Sequence, residues 1–262
     1  MVQVDKYTIP ALDRGLDILE FLSSQHEGVT QSQIGKALDL SPSAIFRPLL
    51  CLERRGFIAR KRPEDLFFLS TRMFELSHNF PPTARVLDAA MPLMRILARR
   101  TGQSCHLGIY SDGALLVIAQ VESPGPMGFS VRIGARFALE ATASGRVLYA
   151  FQAEDVQRQW RAEMEAVVDE ADFSQRIAAI TARGYEEVAG ESRTGVTDLS
   201  APVVGAFGTT VAALTVPILA PTEDGVDMDA IRAQLLETAA AITAETGGSR
   251  DFVGRVSEPQ NR

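Results

Sequence analysis

The chain has 262 residues, 46% of them hydrophobic and 23% charged, with a formal net charge of −7. That length and balance predict one or two ordinary globular domains, and exclude a disordered, collagen-like or wholly basic protein. Two cysteines, Cys51 and Cys105, and three isolated histidines, His26, His78 and His106, provide no disulfide framework and no metal-ligand spacing.

No metal or cofactor is therefore expected. A reducing, cytoplasmic setting fits, since the sequence has neither a charged-then-apolar leader nor an apolar run of about 18 residues. The charge is uneven. Residues 1–75 carry ten basic and ten acidic side chains, whereas the remainder carries 16 and 23. The basic residues of the first part gather between Arg47 and Arg62. A neutral segment with a local basic patch suits nucleic acid, and an acidic remainder limits non-specific adhesion.

In chain order, Leu12, Leu16, Leu19 and Leu22, with Ile18 beside them, recur at helical spacing, and Gly28 is expected to end this first helix. Thr30 can cap a second helix through Ile34 and Leu38. After a turn at Asp39-Leu40, Ser41 as N-cap and Pro42 at the first helical position start a third helix. Its buried stripe is Ile45, Leu49 and Leu52, and Gly56 ends it. Phe57–Arg60 and Leu66–Leu69 then read as two strands around a turn at Pro63-Glu64-Asp65. A short helix over Met73–Leu76 stops at Pro81-Pro82, where a domain boundary is expected, and a long helix follows from Thr83 to Arg100.

The remainder alternates strands and helices. Ser104–Tyr110 and Ala114–Glu122 flank Asp112-Gly113, a hairpin signal. Phe129–Ile133 reads as a strand, and Ala143–Phe151, Asp155–Ala166 and Ser174–Arg183 as helices. Glu186–Ala189, Asp198–Val204 and Thr210–Leu219 read as strands. Asp227–Thr246 is a closing helix with Ile231, Leu235 and Ile242 on one face. The polar end of the chain is expected to be disordered.

Three helices followed by a hairpin with Arg60-Lys61-Arg62 near its tip make the order of a winged helix-turn-helix, which sets its third helix in a DNA major groove. At 100° per residue, Ser43, Ala44, Arg47 and Arg54 lie opposite the buried stripe. Arg47 is the candidate for direct readout, because a guanidinium matches guanine bidentately. Ser43 suits a base or phosphate contact at the helix N-terminus. Arg54, Arg60, Lys61 and Arg62 suit the phosphate backbone. The plain alternative is a solvated helix face beside a charged turn. Pro48 is awkward inside this helix, since it removes a hydrogen bond to the Ala44 carbonyl and predicts a kink or a separate first turn.

With these residues in hand, the chain resembles the IclR family of bacterial transcription regulators over residues 8–247. Ala11–Leu19 resembles that family's opening helix, and Leu52–Ile58 its helix-to-wing junction. Leu139–Arg146 is similar to its "LHATAxGK" segment, with Glu140 and Arg146 as departures. Gly195–Val203 is similar to "GVxxIxAPV", with Val211–Leu214 downstream. Pro42, Phe46 and Pro48 also depart from the common pattern.

The resemblance implies an α+β protein: a winged helix-turn-helix over 1–70, a linker helix over 71–82, a GAF-like α/β effector-binding domain over 83–247 and a tail over 248–262. It also implies a dimer or tetramer that binds a palindromic double-stranded operator, commonly as a repressor of catabolic genes. By the same resemblance, Phe129, Phe137, Ala143, Ser144, Val196, Asp198, Thr215 and Pro217 would line the effector site. A carboxylate at Asp198 accepts hydrogen bonds from hydroxyls or an amine and repels a second carboxylate, which favours a hydroxylated or amine-bearing metabolite or organic acid. The plain alternative for Phe129, Phe137 and Val196 is simple core.

Two other classes compete. An enzyme with a DNA-binding appendage would need a nucleophile, and Cys105-His106 is the only adjacent pair. Neighbours on a strand point to opposite faces, so they form no dyad. No phosphate loop or nucleophile elbow appears. The third class is a sensor that uses its winged helix to dock a protein.

Overall fold

The computed structural model of the protein describes residues 9–78, 81–164, 169–219 and 227–249. Its contacts divide the chain into two compact units, Met1–Ala84 and Arg85–Arg262. That division falls inside a helix, beyond the boundary expected at Pro81-Pro82.

The first unit begins with α1 (Pro10–Ser23). Its inward face is Gly15, Ile18 and Leu22; Leu12 and Leu16, of the set recurring at helical spacing, are half-exposed. Helical spacing alone does not say which of two adjacent apolar rows faces inward. The helix ends at Ser23 rather than at Gly28. Gly28 instead carries the chain past Phe68, whose ring a Cβ at this position would meet at 2.3 Å.

The next element, β1 (Val29–Thr30), is too short to leave a pattern in sequence. Helix α2 (Gln31–Ala37) opens with a capping box, in which the Gln33 amide donates to Thr30 Oγ1 while the Thr30 amide donates to Gln33 Oε1. Helix α3 (Pro42–Arg54) opens on the Ser41 cap, which accepts from the Ala44 amide at 3.3 Å. It runs unbroken across Pro48, so its first turn is not a separate piece. Pro48 is buried, and its packing offsets part of the roughly 3 kcal/mol that an internal proline costs.

Strands β2 (Ile58–Lys61) and β3 (Leu66–Leu69) form the expected hairpin, and β1 adds to β3 in the order β1-β3-β2. Ile18, Leu22, Ile34, Ile45, Leu49, Ile58 and Phe67 make the core of this unit. Helix α4 (Arg72–His78) follows, and α5 (Pro81–Thr101) leads into the second unit.

The second unit is built on one antiparallel sheet, ordered β6-β5-β4-β9-β8-β7. Strands β4 (Cys105–Ser111) and β5 (Ala114–Val121) turn at Asp112 and Gly113, both with positive φ, as a two-residue hairpin loop requires. The strand expected over Phe129–Ile133 is absent. The free edge of β5 is instead taken by β6 (Arg136–Ala138), and an edge accepts only one ladder. Residues 129–133 therefore run as a loop.

Helix α6 (Ala143–Ala150) opens on Thr142, and α7 spans Glu154–Glu163. Of the helix expected to reach Ala166, residues 165 and 166 lie outside the described ones. Helix α8 (Glu170–Arg183) starts earlier than expected, because the Asp169 carboxylate accepts from the Ala171 and Asp172 amides. Strands β7 (Glu186–Ala189), β8 (Val196–Val204) and β9 (Thr210–Leu219) and helix α9 (Met228–Glu245) complete the unit. The expected tail lies outside the described residues from position 250 onward.

Strand alternation sorts this sheet into two faces. Leu199, Ala201, Val203, Leu214 and Val216 pack against α5 and α9. Ala213 and Leu115 turn the other way, to α6, α7 and α8. The protein is thus α+β, with an N-terminal helix-turn-helix and a C-terminal α/β domain. Among the described residues, no helix is long and apolar enough to cross a membrane.

Helix α6 lies so close to the preceding segment that a Cβ on Gly145 would stand 2.0 Å from the Leu139 carbonyl oxygen. Backbone cannot retreat as a flexible side chain can. Gly145→Ala is expected to cost about 2–4 kcal/mol, read as a lowered thermal midpoint of the full chain.

Candidate functional site

Two places on the chain have the makings of a site, one in each unit. In the first, Gln31 on α2 donates to the Pro42 carbonyl at 3.0 Å and fixes the start of α3. The outward row of α3 is Ser43, Phe46, Arg47, Leu50 and Arg54, all exposed, while Ala44 is half-buried. Ser43, Ala44, Phe46 and Arg47 line an open hollow of about 740 Å³, together with Arg14 and Gln31.

Arg47 and Arg54 have no ion-pair partner among the described residues, and neither do Lys61 and Arg62 at the hairpin. Arg60, also expected at the phosphate backbone, has a partner within the hairpin. Its guanidinium pairs with Asp65 at 2.9 Å and lies over the Phe67 ring. Phe46, a departure from the family pattern, and Leu50 were not among the expected DNA contacts, yet both are exposed on this face.

The second place is a cavity of about 410 Å³ between the α6 face of the sheet and residues 129–144, a segment that includes β6 and the start of α6. Of the residues that the family resemblance implies, Phe129, Phe137, Ala143, Ser144, Asp198 and Thr215 line it. Val196 and Pro217 do not; Val196 is buried at the far end of β8, and Pro217 lies across the ladder from Asp198. His106, Arg132, Thr142, Ser192 and Arg193 also line the cavity.

His106 is the polar centre of the cavity floor. It stands opposite Thr215 in the β4–β9 ladder, and Thr215 in turn shares a 2.9 Å hydrogen bond with Ser200. His106 Nδ1 is buried without a hydrogen-bond partner. Burial depresses its pKa to about 4, so the ring is neutral near pH 7 and offers one donor and one acceptor. Burial raises the Asp198 carboxyl above its usual range, against a hydrogen bond from Ser192 and the charge of Arg146. The adjacent Cys105 points to the other face, where it donates to the Met94 carbonyl at 3.5 Å, and burial pushes its thiol up to about 12. It is no nucleophile, and no dyad exists.

One wall of the cavity hangs on ion pairs. Arg146, on α6, meets Glu186 at 2.9 Å and Glu191 at 2.8 Å, and donates to the Glu140 carbonyl at 2.8 Å. Arg176 closes the square at 2.7 Å and 2.6 Å to the same two carboxylates. Burial acts to raise Glu191, but the two guanidinium groups outweigh it and hold its carboxyl below the usual range. Ser192 and Arg193 follow directly and face the cavity.

Comparison with known proteins agrees with this division. Residues 11–62 match the IclR helix-turn-helix domain, and residues 82–244 match the bacterial transcriptional regulator IclR C-terminal domain. The chain belongs to the IclR family of transcriptional regulators. The HTH-type transcriptional regulator BhcR of Paracoccus denitrificans is 30% identical over 81% of this chain and 78% of its own. The regulator XynR of Escherichia coli is 26% identical over 91% of this chain and 98% of its own. An IclR homologue from Microbacterium hydrocarbonoxydans, solved in complex with 4-hydroxybenzoate, superposes with a TM-score of 0.76. It is 21% identical and is matched over 90% of this chain and 98% of that one. This IclR-family chain is therefore a DNA-binding regulator with an effector-binding domain, not an enzyme.

The buried histidine makes a pH prediction. Its folded pKa lies below the ordinary 6.5, so its stabilising contribution is present above pH 6.5 and is lost as pH falls towards 4. Between those limits it amounts to about 3 kcal/mol. His106→Gln should flatten that part of the pH–stability curve, measured by urea unfolding at pH 7 and pH 4.5.

Proposed function

We propose that the protein is an effector-responsive repressor of a catabolic operon, binding a palindromic operator as a cytoplasmic dimer or tetramer. The observation that carries this reading is one chain with an uncommitted cationic helix face in its helix-turn-helix and a half-open, mostly apolar cavity in its other unit. A dimer of such readers would meet half-sites about one helical turn, roughly 34 Å, apart.

The cavity favours a small molecule with a hydroxyl or amine. Asp198 accepts from such a group, the neutral His106 ring satisfies its other hydrogen-bonding capacity, and Phe129 and Phe137 cover an apolar body. A second carboxylate against Asp198 would be repelled. The family member holding 4-hydroxybenzoate supports a hydroxylated ligand of this size. Such an effector changes DNA affinity only by binding two arrangements of the protein unequally.

Two variants separate the halves of this reading. Arg47→Ala should weaken specific operator binding about 10- to 100-fold while salt-dependent non-specific binding persists, as followed by gel shift. Full retention of sequence preference would remove Arg47 from the reader. Asp198→Ala should keep operator binding but lose the thermal shift given by hydroxylated or amine-bearing metabolites, with 4-hydroxybenzoate as the first probe. An unaltered response would take Asp198 out of the effector site.

A further inference from the structure

The DNA-facing row of α3 is half apolar. Phe46 is 50% exposed and Leu50 43% exposed, and both share the outward face of α3 with Arg47, Phe46 just before it in the chain and Leu50 one turn on. Neither is needed for the core of this unit, which α3 supplies through Ile45 and Leu49 on its opposite face. An aromatic ring and a leucine left in water beside a guanidinium suit a surface that is apolar at two points and rich in acceptors between them.

We propose that Phe46 and Leu50 read thymine methyl groups on either side of a guanine read by Arg47. The C5-methyl of thymine is the apolar group that the major-groove edges of the bases present, and guanine O6 and N7 are the acceptor pair a guanidinium matches. Spacing agrees with this assignment. Four residues of helix rise about 6 Å, and two base-pair steps rise roughly 7 Å. The half-site then holds a guanine with thymines within two steps of it, on either strand. The occupant is fixed as duplex DNA by the helix-turn-helix match over residues 11–62 and by Arg47, Arg54, Lys61 and Arg62, which have no ion-pair partner among the described residues. The assignment rests on the proposed operator binding and adds to it the bases that are read.

The test uses the full-length protein and a random-sequence 30-base-pair duplex library. The duplex that the protein enriches is resynthesised with each thymine replaced in turn by deoxyuridine, which removes only the methyl. Burying one methyl is worth about fourfold in affinity, so deoxyuridine at the contacted positions should weaken wild-type binding by that factor, read by fluorescence anisotropy. Phe46→Ala should bind the thymine duplex about 10-fold more weakly and become indifferent to deoxyuridine at one position. Leu50→Ala should do so at the other. The wild-type scan does not depend on any variant folding.

A deoxyuridine scan without effect at any position overturns the proposal, as does an unchanged deoxyuridine loss in both variants. So does a Phe46→Ala protein that alters only the oligomeric state in sedimentation, since the ring would then belong to a contact between copies. Failure of the wild-type protein to enrich any sequence removes operator binding itself, an outcome distinct from enrichment of a methyl-indifferent site.

Discussion

The effector-binding unit depends on one buried cation. The Arg146 side chain is 3% exposed, and its charge is matched by Glu186, itself 2% exposed, and by Glu191. Through these bonds and the Glu140 carbonyl, one guanidinium ties the first turn of α6 to β7, to the segment that enters α6 and to the 190s loop. Arg176 supplies the second positive charge, so two cations face the carboxylates of Glu186 and Glu191. Removing one member of such a group leaves an uncompensated buried charge, typically at 3–5 kcal/mol. Ser192 and Arg193 of the 190s loop, the start of α6 and residues of the 129–142 segment all line the cavity.

The first unit rests on local chemistry of a different kind. Each of its turns is specified by side chains within a few residues: the Thr30–Gln33 capping box, the Ser41 cap and the left-handed Asp39 and Asp65. Such devices are worth about 1 kcal/mol each, yet they fix where α3 starts and which way its outer row looks. The small core behind the row contributes the bulk of the stability, and it leaves the outer row free of any folding duty. That freedom lets Phe46 and Leu50 be apolar without belonging to the core.

Local devices are also what the sequence made legible. The caps at Thr30 and Ser41, the Asp112-Gly113 hairpin and the break at Gly56 depend only on neighbours, and each stands where the pattern placed it. Strand parity was legible too: neighbouring Cys105 and His106 do point to opposite faces. What failed needed tertiary knowledge. Phe129–Ile133 alternates like a strand, but the edge it would need is filled by residues 136–138. Leu12 and Leu16 form an apolar row as good as the true one until the rest of the unit chooses between them. Val196 has the parity of Asp198, but the cavity does not extend to its end of β8. His106 is a lone histidine in sequence, and only the ladder pairing with Thr215 puts it on the cavity floor. Phe46 showed in the sequence only as a family departure and Leu50 not at all, and only the packing shows that both are exposed.

The same ion-pair square has a soft side. Glu186 is enclosed, so its bonds to Arg146 and Arg176 cannot part without desolvated charges being stranded. Glu191 is 35% exposed, and water can replace what it loses. Pairs with that much solvent contribute about 1 kcal/mol or less. The square therefore resists displacement of α6 and β7 far more than displacement of residues 191–193, which carry Ser192 and Arg193 at the cavity wall. A ligand that contacts these two residues needs only a modest difference in contact energy to shift the wall, whereas shifting α6 would require breaking the buried pair. Differential binding of a few kcal/mol, the range typical of coupling between sites, is thus enough to act on the 190s loop and not on the frame behind it.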